Sequence, residues 1–197
     1  KLTLARVDLY QMLFYSTLTA SLVLVSLVLG AGRVKALFVT ARQEWRLTLL
    51  AGCLNPVIYY LILFKAYDLL PAQVAQPINY TWSIVLTLMA SVVFKQRLIK
   101  QDIIAAFVCY VGVFLIVTQG NIATFATADL AGVSLALLST VVWALYWIIN
   151  MRDRRDPLIG LCLNFLVALP ITCLLCVSMS AMPVTFGGLA GSIYISD

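Results

Sequence analysis

The sequence predicts an all-α integral membrane protein, and three observations indicate that class. The 197 residues are 63% hydrophobic and only 11% charged, whereas soluble domains are nearer half apolar and a quarter charged. The apolar residues form continuous runs of roughly 20, the length that a helix needs to cross a membrane. The positive charges gather in alternate connections between those runs. A soluble fold of this composition would have too little polar surface.

The apolar runs define six complete spanning segments and one partial segment. Their approximate ranges are 10–31, 47–66, 70–94, 102–119, 131–150, 157–178 and an incomplete one from about 184. A membrane β-barrel would instead show ten-residue segments of alternating hydrophobicity. These runs are continuously apolar, so helices are predicted.

The distribution of cations predicts the orientation of the segments. Ten of the thirteen Lys and Arg residues lie in the odd-numbered connections, which are the loops around 33–46, 95–101 and 151–156. Cytoplasmic loops carry an excess of Lys and Arg, so these loops are predicted to be cytoplasmic and residue 1 to lie on the outer side. The chain opens with Lys1 rather than Met, and we expect a further helix upstream.

A weak internal repeat suggests how the helices are organised. Leu50-Ala51-Gly52 opens the second segment, and Leu189-Ala190-Gly191 opens the seventh. The order of segments matches if the repeat unit has five helices. An odd number of helices per unit places the two copies in opposite membrane orientations, a recurring plan in secondary transporters.

The third segment carries a polar stripe. At 100° per residue, one face within an arc of about 80° holds five polar side chains, namely Gln73, Gln76, Tyr80, Ser83 and Thr87. Asn79 lies at the edge of this arc, whereas Thr81 and Trp82 point elsewhere. Pro77 removes one backbone hydrogen bond, so a helix break is predicted there. The stripe fits two interpretations: it lines a substrate cavity, or it bonds neighbouring helices together.

Two further segments show comparable faces. In the second segment the face comprises Gly52, Asn55, Tyr59 and Ala66, and in the fifth it comprises Gly132, Ala136, Ser139, Trp143, Tyr146 and Asn150. Small residues allow close helix approach, while aromatic and amide groups could hold a ligand. Trp147 is predicted to be an interfacial anchor, and Pro56 to open a second break.

Enzyme chemistry finds little support in the sequence. There is no histidine, hence no Ser-His-Asp or Cys-His arrangement. Neither a metal-ligand cluster nor a phosphate-binding glycine loop is present, so no catalytic residue, metal or cofactor is predicted. No basic patch interleaved with aromatic residues suggests nucleic acid. Lys65 and Asp68 lie at the outer junction of the second and third segments, where they are expected to pair with each other or to extend to water. An ion-coupling role for Asp68 is the alternative.

Two stretches resemble a known family. The first is residues 55–120, which runs from NPVIYYLILFKAYDLL to VGVFLIVTQG, and the second is residues 131–152, which contains WALY. Both are similar to EamA units of the drug/metabolite transporter superfamily. The resemblance implies a ten-helix bundle of two inverted five-helix repeats with a central cavity. Residues 1–120 would be the first repeat without its first helix, 121–130 a linker, and 131–197 the start of a truncated second repeat. Members commonly have Gly-Glu where this chain has Lys95-Gln96, so no acidic role is carried over.

The sequence therefore predicts an inner-membrane exporter or exchanger of small polar metabolites such as amino acids, working by alternating access. The predicted substrate-binding residues are Asn55, Tyr59, Gln73, Gln76, Asn79, Tyr80, Trp143 and Tyr146. The expected partners are a small-molecule substrate and the lipid bilayer, and the sequence leaves the oligomeric state open. The alternative from another class is a non-transporting membrane scaffold whose polar faces only hold helices together.

Overall fold

A computed structural model of the chain describes residues 8–118 and 129–180, and these residues form helices and no strand. The helices are α1 (Leu9–Gly30), α2 (Val34–Gln43), α3 (Trp45–Gly52), α4 (Tyr59–Leu69), α5 (Ala72–Tyr80), α6 (Trp82–Val93), α7 (Lys100–Thr118), α8 (Leu130–Arg152) and α9 (Pro157–Met179), with a π-helical turn at Cys53–Ile58 between α3 and α4. The predicted all-helical class is confirmed for this part of the chain.

Five of the described segments are long and apolar enough to cross a membrane. They are Leu9–Gly30, Trp45–Leu69, Lys100–Thr118, Leu130–Arg152 and Pro157–Met179, each matching a predicted segment. The predicted segment 70–94 is divided into α5 and α6 at Thr81, so neither piece alone has spanning length. The partial segment from about 184 lies outside the described residues, as does most of the predicted linker 121–130.

The contacts divide the chain into two compact units. The first unit extends to Val57 and resumes at Arg155, and the second unit is Ile58–Arg154. In the first unit α1 packs along α9, and Leu24, Val28 and Cys162 form the core between them. In the second unit α4, α5 and α6 pack against α8.

Glycines allow the closest helix approaches in both units. A Cβ added to Gly132 would lie 2.7 Å from Leu70 Cγ, which places α8 close to the end of α4 in the second unit. A Cβ added to Gly52 would lie 2.6 Å from the backbone oxygen of Asn164, so α3 and α9 are in near backbone contact in the first unit. Small residues at such positions are the usual basis of packing between membrane helices.

The helix breaks only partly follow the prolines. Asn55, just before Pro56, has non-helical angles of φ −140° and ψ 119°, which confirms the predicted second break. The break predicted at Pro77 is wrong in position, because α5 continues through Pro77 to Tyr80. Thr81 interrupts the helix, with its backbone N–H donating to Ile78 O and its hydroxyl donating to the same oxygen at 2.7 Å. These two hydrogen bonds satisfy the Ile78 carbonyl where the helix is interrupted.

The Asp156 carboxylate caps the start of α9 and pairs with an arginine. Asp156 Oδ1 accepts from the backbone N–H groups of Leu158 at 3.1 Å and Ile159 at 3.2 Å. Its Oδ2 accepts from Arg33 Nη1 at 2.6 Å. The Ile159 hydrogen bond, together with the Arg33 charge, lowers the pKa of Asp156 below its ordinary 3.8. This carboxylate joins the start of α9 to the start of α2 within the first unit.

We expect the stability contribution of Asp156 to disappear in acid. A carboxyl with a lowered pKa in the folded state stabilises that state above its unfolded pKa, and the contribution is lost as pH falls through the folded value. Asp156→Asn keeps a capping oxygen but loses the charge. Its thermal unfolding midpoint should be below that of the wild type at neutral pH, with the gap closing below pH 3.8. Arg33→Gln should show part of this loss, and a gap that does not change with pH would contradict the assignment.

Candidate substrate-facing helix and polar network

Asn79 is buried in a hydrogen-bonded network inside the second unit. Tyr59 Oη donates to Asn79 Oδ1 at 3.3 Å, and Asn79 Nδ2 donates to Ser139 Oγ at 2.9 Å. The Ser139 hydroxyl in turn donates to the Ala136 carbonyl at 2.6 Å. All three side chains are less than a tenth exposed. The network therefore links α4, α5 and α8 by polar contacts that are worth most where water is absent.

The rest of the polar stripe faces away from this core. Gln73, Gln76 and Tyr80 are exposed on α5, and Ser83 and Thr87 continue the exposed face on α6. The opposite face of α5 holds Val74, Ala75 and Ile78 in the apolar core of the unit. Side chains at i, i+3 and i+7 share one helix face, which is why the glutamines and Tyr80 lie together. Asn79 is therefore buried against neighbouring helices, whereas Gln73, Gln76 and Tyr80 are exposed.

Aromatic side chains form a cluster beside the network. The ring centroids of Tyr59 and Trp143 are 4.4 Å apart, and those of Trp143 and Tyr146 are 5.7 Å apart. Trp82 joins the cluster by an edge contact with Trp143 at 6.3 Å and by stacking on Trp147 at 6.3 Å. Offset and edge contacts at these distances add to the stabilisation from burial. Trp82, which sequence reasoning left out, belongs with the predicted residues Tyr59, Trp143 and Tyr146.

A groove of about 180 Å³ borders the C-terminal part of the polar stripe, at Ser83 and Thr87. It lies between α6 and α7 in the second unit. Ser83 and Thr87 contribute hydroxyls to its lining, and Asp102 and Cys109 contribute from α7. Asp102 also accepts a hydrogen bond from the Ile99 backbone N–H at 3.1 Å. Part of the polar stripe therefore borders open space beside one acidic side chain.

Asn55, the predicted site residue of the first unit, has an unsatisfied oxygen. The residue is 6% exposed, and its Oδ1 has no hydrogen-bond partner among the described residues. A buried acceptor without a partner costs about 1–3 kcal/mol, so it is well suited to receive a donor from a bound molecule. The non-helical backbone at Asn55 allows this side chain to sit at a bend.

A second polar cluster, in the first unit, was missed by sequence reasoning. Arg155 Nη1 donates to Thr48 Oγ1 at 2.7 Å, and its Nη2 is 3.4 Å from Asn164 Oδ1. Thr48 and Asn164 are buried on α3 and α9. The guanidinium therefore holds two helices together beside the close contact at Gly52. The available signal was Asn164 itself, an amide inside an apolar run, since polar groups within spanning segments are costly and have a partner.

The exposed charged pair at the end of α4 agrees with prediction. Lys65 Nζ lies 2.8 Å from Asp68 Oδ2, and both side chains are more than half exposed. Such a solvent-accessible pair contributes about 0–1 kcal/mol. The geometry supports a local surface pairing rather than an ion-coupling role for Asp68.

Comparison with known proteins identifies the family. Residues 1–118, more than half of the chain, match the EamA-like transporter family. A relative described as the uncharacterized transporter YyaM of Bacillus subtilis (strain 168) is 31% identical over 70 residues, which are 35% of this chain and 23% of that protein. The match thus spans about a quarter of the curated relative's length. No solved structure matches the chain.

The family match and the helices lead to the same class of protein. The matched region contains α1 to α7, including three of the five segments able to span a membrane. The predicted resemblance to the EamA family is therefore confirmed over residues 1–118, and the apolar helices make this a multi-pass membrane protein. The chain belongs to the EamA-like transporter family.

Proposed function

We propose that this chain is part of a carrier that moves small polar metabolites, such as amino acids, across the inner membrane by alternating access. The carrier would export or exchange its substrate. Its fold would be two inverted five-helix repeats, with the first repeat at residues 1–120 and the second starting at 131. Membership of a transporter family favours this function over that of an enzyme.

The observation that carries the proposal is the exposed polar face of α5. Gln73, Gln76 and Tyr80 lie in the segment 70–94, and all three are exposed among the residues that the structure describes. In hydrocarbon an amide without a partner costs about 4–8 kcal/mol by alkane transfer. Two glutamines and a phenol on one lipid-facing stripe would be heavily penalised. A water-filled cavity removes that penalty.

The side chains suit a polar, uncharged or zwitterionic ligand. Each glutamine offers both a carbonyl acceptor and an amide donor, and the phenol offers either function. The Tyr59, Trp143 and Tyr146 rings form a firm wall within the second unit. In this proposal Asn79 positions that wall through Tyr59 and Ser139. A ligand with several donors and acceptors would satisfy this set.

The scaffold alternative is supported by one part of the stripe. Asn79 does bond neighbouring helices, as interhelical adhesion requires. Gln73, Gln76 and Tyr80 lie on the exposed face of α5. The two faces of α5 thus differ, since Asn79 bonds neighbouring helices and the other three polar side chains are exposed. This difference favours the carrier, because a helix already fixed by Asn79 does not need three more polar groups for packing.

The predicted orientation completes the proposal. The loops around 33–46, 95–101 and 151–156 would face the cytoplasm, since they hold ten of the thirteen Lys and Arg residues and cytoplasmic loops are enriched in these residues. The apolar helices support the lipid bilayer as the second partner in this proposal.

Cysteine labelling at Gln76 tests the cavity. In the complete protein with its native cysteines replaced, Gln76→Cys should react with a membrane-impermeant thiosulfonate from one side of the membrane. Thiosulfonates react with the thiolate, which forms only where water solvates the group. Addition of a bound substrate should then slow the reaction.

Two control positions make the labelling result decisive. Ile78→Cys, at a position 1% exposed in the core of the second unit, should be protected, and so should Phe107→Cys, at a position 70% exposed in the middle of the apolar helix α7. If Gln76→Cys is as inert as Phe107→Cys while the protein remains folded, the stripe faces lipid or a dry contact and the carrier proposal loses its basis.

A further inference from the structure

The connection between the first two spanning segments contains a helix, α2, which the sequence interpretation treated as a loop. α1 ends at Gly30 and the next spanning segment begins at Trp45. α2 occupies most of the interval, as Val34–Gln43. A ten-residue helix is about 15 Å long. With both ends joined to spanning segments by only a few residues, α2 is confined to the level of the membrane surface.

One face of α2 packs on the core of the first unit, and the opposite face is exposed. Leu37 packs against the Leu24, Val28 and Cys162 core of the first unit. At 100° per residue the other side, within an arc of about 100°, presents four side chains, which are Lys35, Phe38, Val39 and Arg42, all exposed. Phe38 is 70% exposed and Val39 is 46% exposed. The exposed face therefore combines apolar and cationic groups.

The cations of this face are available to an external anion. Arg33 is engaged by Asp156, but Lys35 and Arg42 form no ion pair with any residue in 8–118 or 129–180. Arg46 lies over the Trp45 ring, 5.3 Å from its centroid, and Trp45 is itself 55% exposed. Glu44 is the single acidic residue of the interval from 31 to 46. Three cations thus accompany three exposed apolar side chains.

We propose that α2 is an interfacial helix that binds anionic lipid headgroups. Phe38, Val39 and Trp45 enter the boundary between headgroups and acyl chains, while Lys35, Arg42 and Arg46 contact lipid phosphates. Amphipathic helices with apolar and basic groups bind at this depth, and basic residues beside spanning helices are attracted to anionic leaflets. The confinement of α2 to the membrane surface and its complementary charge favour lipid as the occupant. The proposal depends on membrane insertion and not on the transported substrate.

Lipid-depth quenching tests the position of α2. In the full chain with its native cysteines replaced, a bimane label is placed at Phe38→Cys or, as a control, at Ala36→Cys, which is exposed but about 160° around the helix from Phe38. In vesicles containing lipid with a doxyl group near the headgroup, quenching at position 38 should exceed that at position 36 by at least about twofold. Equal lipid quenching, or stronger quenching of position 38 by aqueous iodide, would overturn the proposal and indicate a surface open to a soluble partner.

Lipid retention tests the headgroup chemistry separately. The wild type in nanodiscs of equal parts phosphatidylglycerol and phosphatidylcholine should retain phosphatidylglycerol in native mass spectrometry. Lys35→Gln/Arg42→Gln/Arg46→Gln should weaken that retention by about fivefold for each cation removed. The control Lys95→Gln/Arg97→Gln/Lys100→Gln removes the same charge from another predicted cytoplasmic loop and should retain more anionic lipid than the α2 variant. Equal losses in both variants, or none in the α2 variant, would overturn the assignment.

Discussion

Alanine at both Gln76 and Tyr80 is expected to reduce solute flux about hundredfold, with a nearly unchanged thermal unfolding midpoint. Each side chain is proposed to give the substrate a hydrogen bond, and an unmade bond in a desolvated site costs about 1–3 kcal/mol. Two such losses together correspond to roughly two powers of ten. Both side chains lie outside the core of the second unit, so folding should be little affected. Counterflow into proteoliposomes of the complete protein measures the flux.

The substrate for this assay comes from a thermal-shift screen against a metabolite panel, because a ligand that binds only the folded state raises the apparent stability. Gln101→Ala is the matched control. It removes an exposed amide from the first turn of α7 and should transport normally. Normal flux in the double variant would exclude Gln76 and Tyr80 from the site.

Asn79→Ala provides the converse comparison. It removes the acceptor of Tyr59 and the donor to Ser139, which lie between three helices. We expect the midpoint of thermal unfolding to fall, with a cost of about 1–3 kcal/mol from the buried groups left without partners. A fall in flux without a fall in stability at this position would instead place Asn79 among the residues that contact substrate.

Gly52→Ala is expected to be among the most destabilising single-methyl additions in the first unit. The new Cβ would lie 2.6 Å from the backbone oxygen of Asn164 and 3.4 Å from its carbonyl carbon. A backbone atom cannot rotate away as a side chain can, so α3 and α9 must separate. Overpacking typically costs about 1–3 kcal/mol, and separation would also disturb the Arg155 contacts to Thr48 and Asn164. Thermal unfolding and the monodisperse fraction in detergent measure the effect.

Gly112→Ala is the control for helix propensity. Gly112 lies in α7, and apart from the backbone of its own helix no atom of the described residues is within 4 Å of a Cβ added there. Replacing glycine within a helix by alanine favours the helix by about 0.5–1 kcal/mol, so this variant should be neutral or slightly stabilised. If Gly52→Ala behaves like Gly112→Ala, the close approach of α3 and α9 is not maintained in the membrane.

Individual side chains show where periodicity alone was insufficient. The 100° rule correctly grouped Gln73, Gln76 and Tyr80, because side-chain direction along a regular helix depends only on spacing. It placed Asn79 at the edge of the same face, yet Asn79 packs against Ser139. The direction in which a side chain leaves its helix does not reveal which other helix it will contact. The same limit applies to Trp82, which contacts Trp143 from another helix.

The sequence predicted that the helices are interrupted near two prolines, but it located only one of the two interruptions correctly. Pro56 correctly marked a break at Asn55, whereas the interruption near Pro77 occurs at Thr81. The helix α2 was missed because its cations were counted only as orientation signals. Their spacing with Phe38 and Val39 also fits an amphipathic helix, and a short helix of this kind becomes stable when Leu37 packs on its neighbours.

The sequence by itself determined that the chain is helical and inserted in a membrane, where most spanning segments begin and end, and which side chains share a helix face. Those properties follow from local composition and spacing, since a bilayer demands long apolar helices whatever their neighbours. Only the tertiary structure decided which polar groups hold helices together and which remain exposed, and where glycine brings two backbones into contact. These depend on partners distant in the sequence, as Asn79 with Ser139 and Gly52 with Asn164 show, and no local pattern encodes the identity of a distant neighbour.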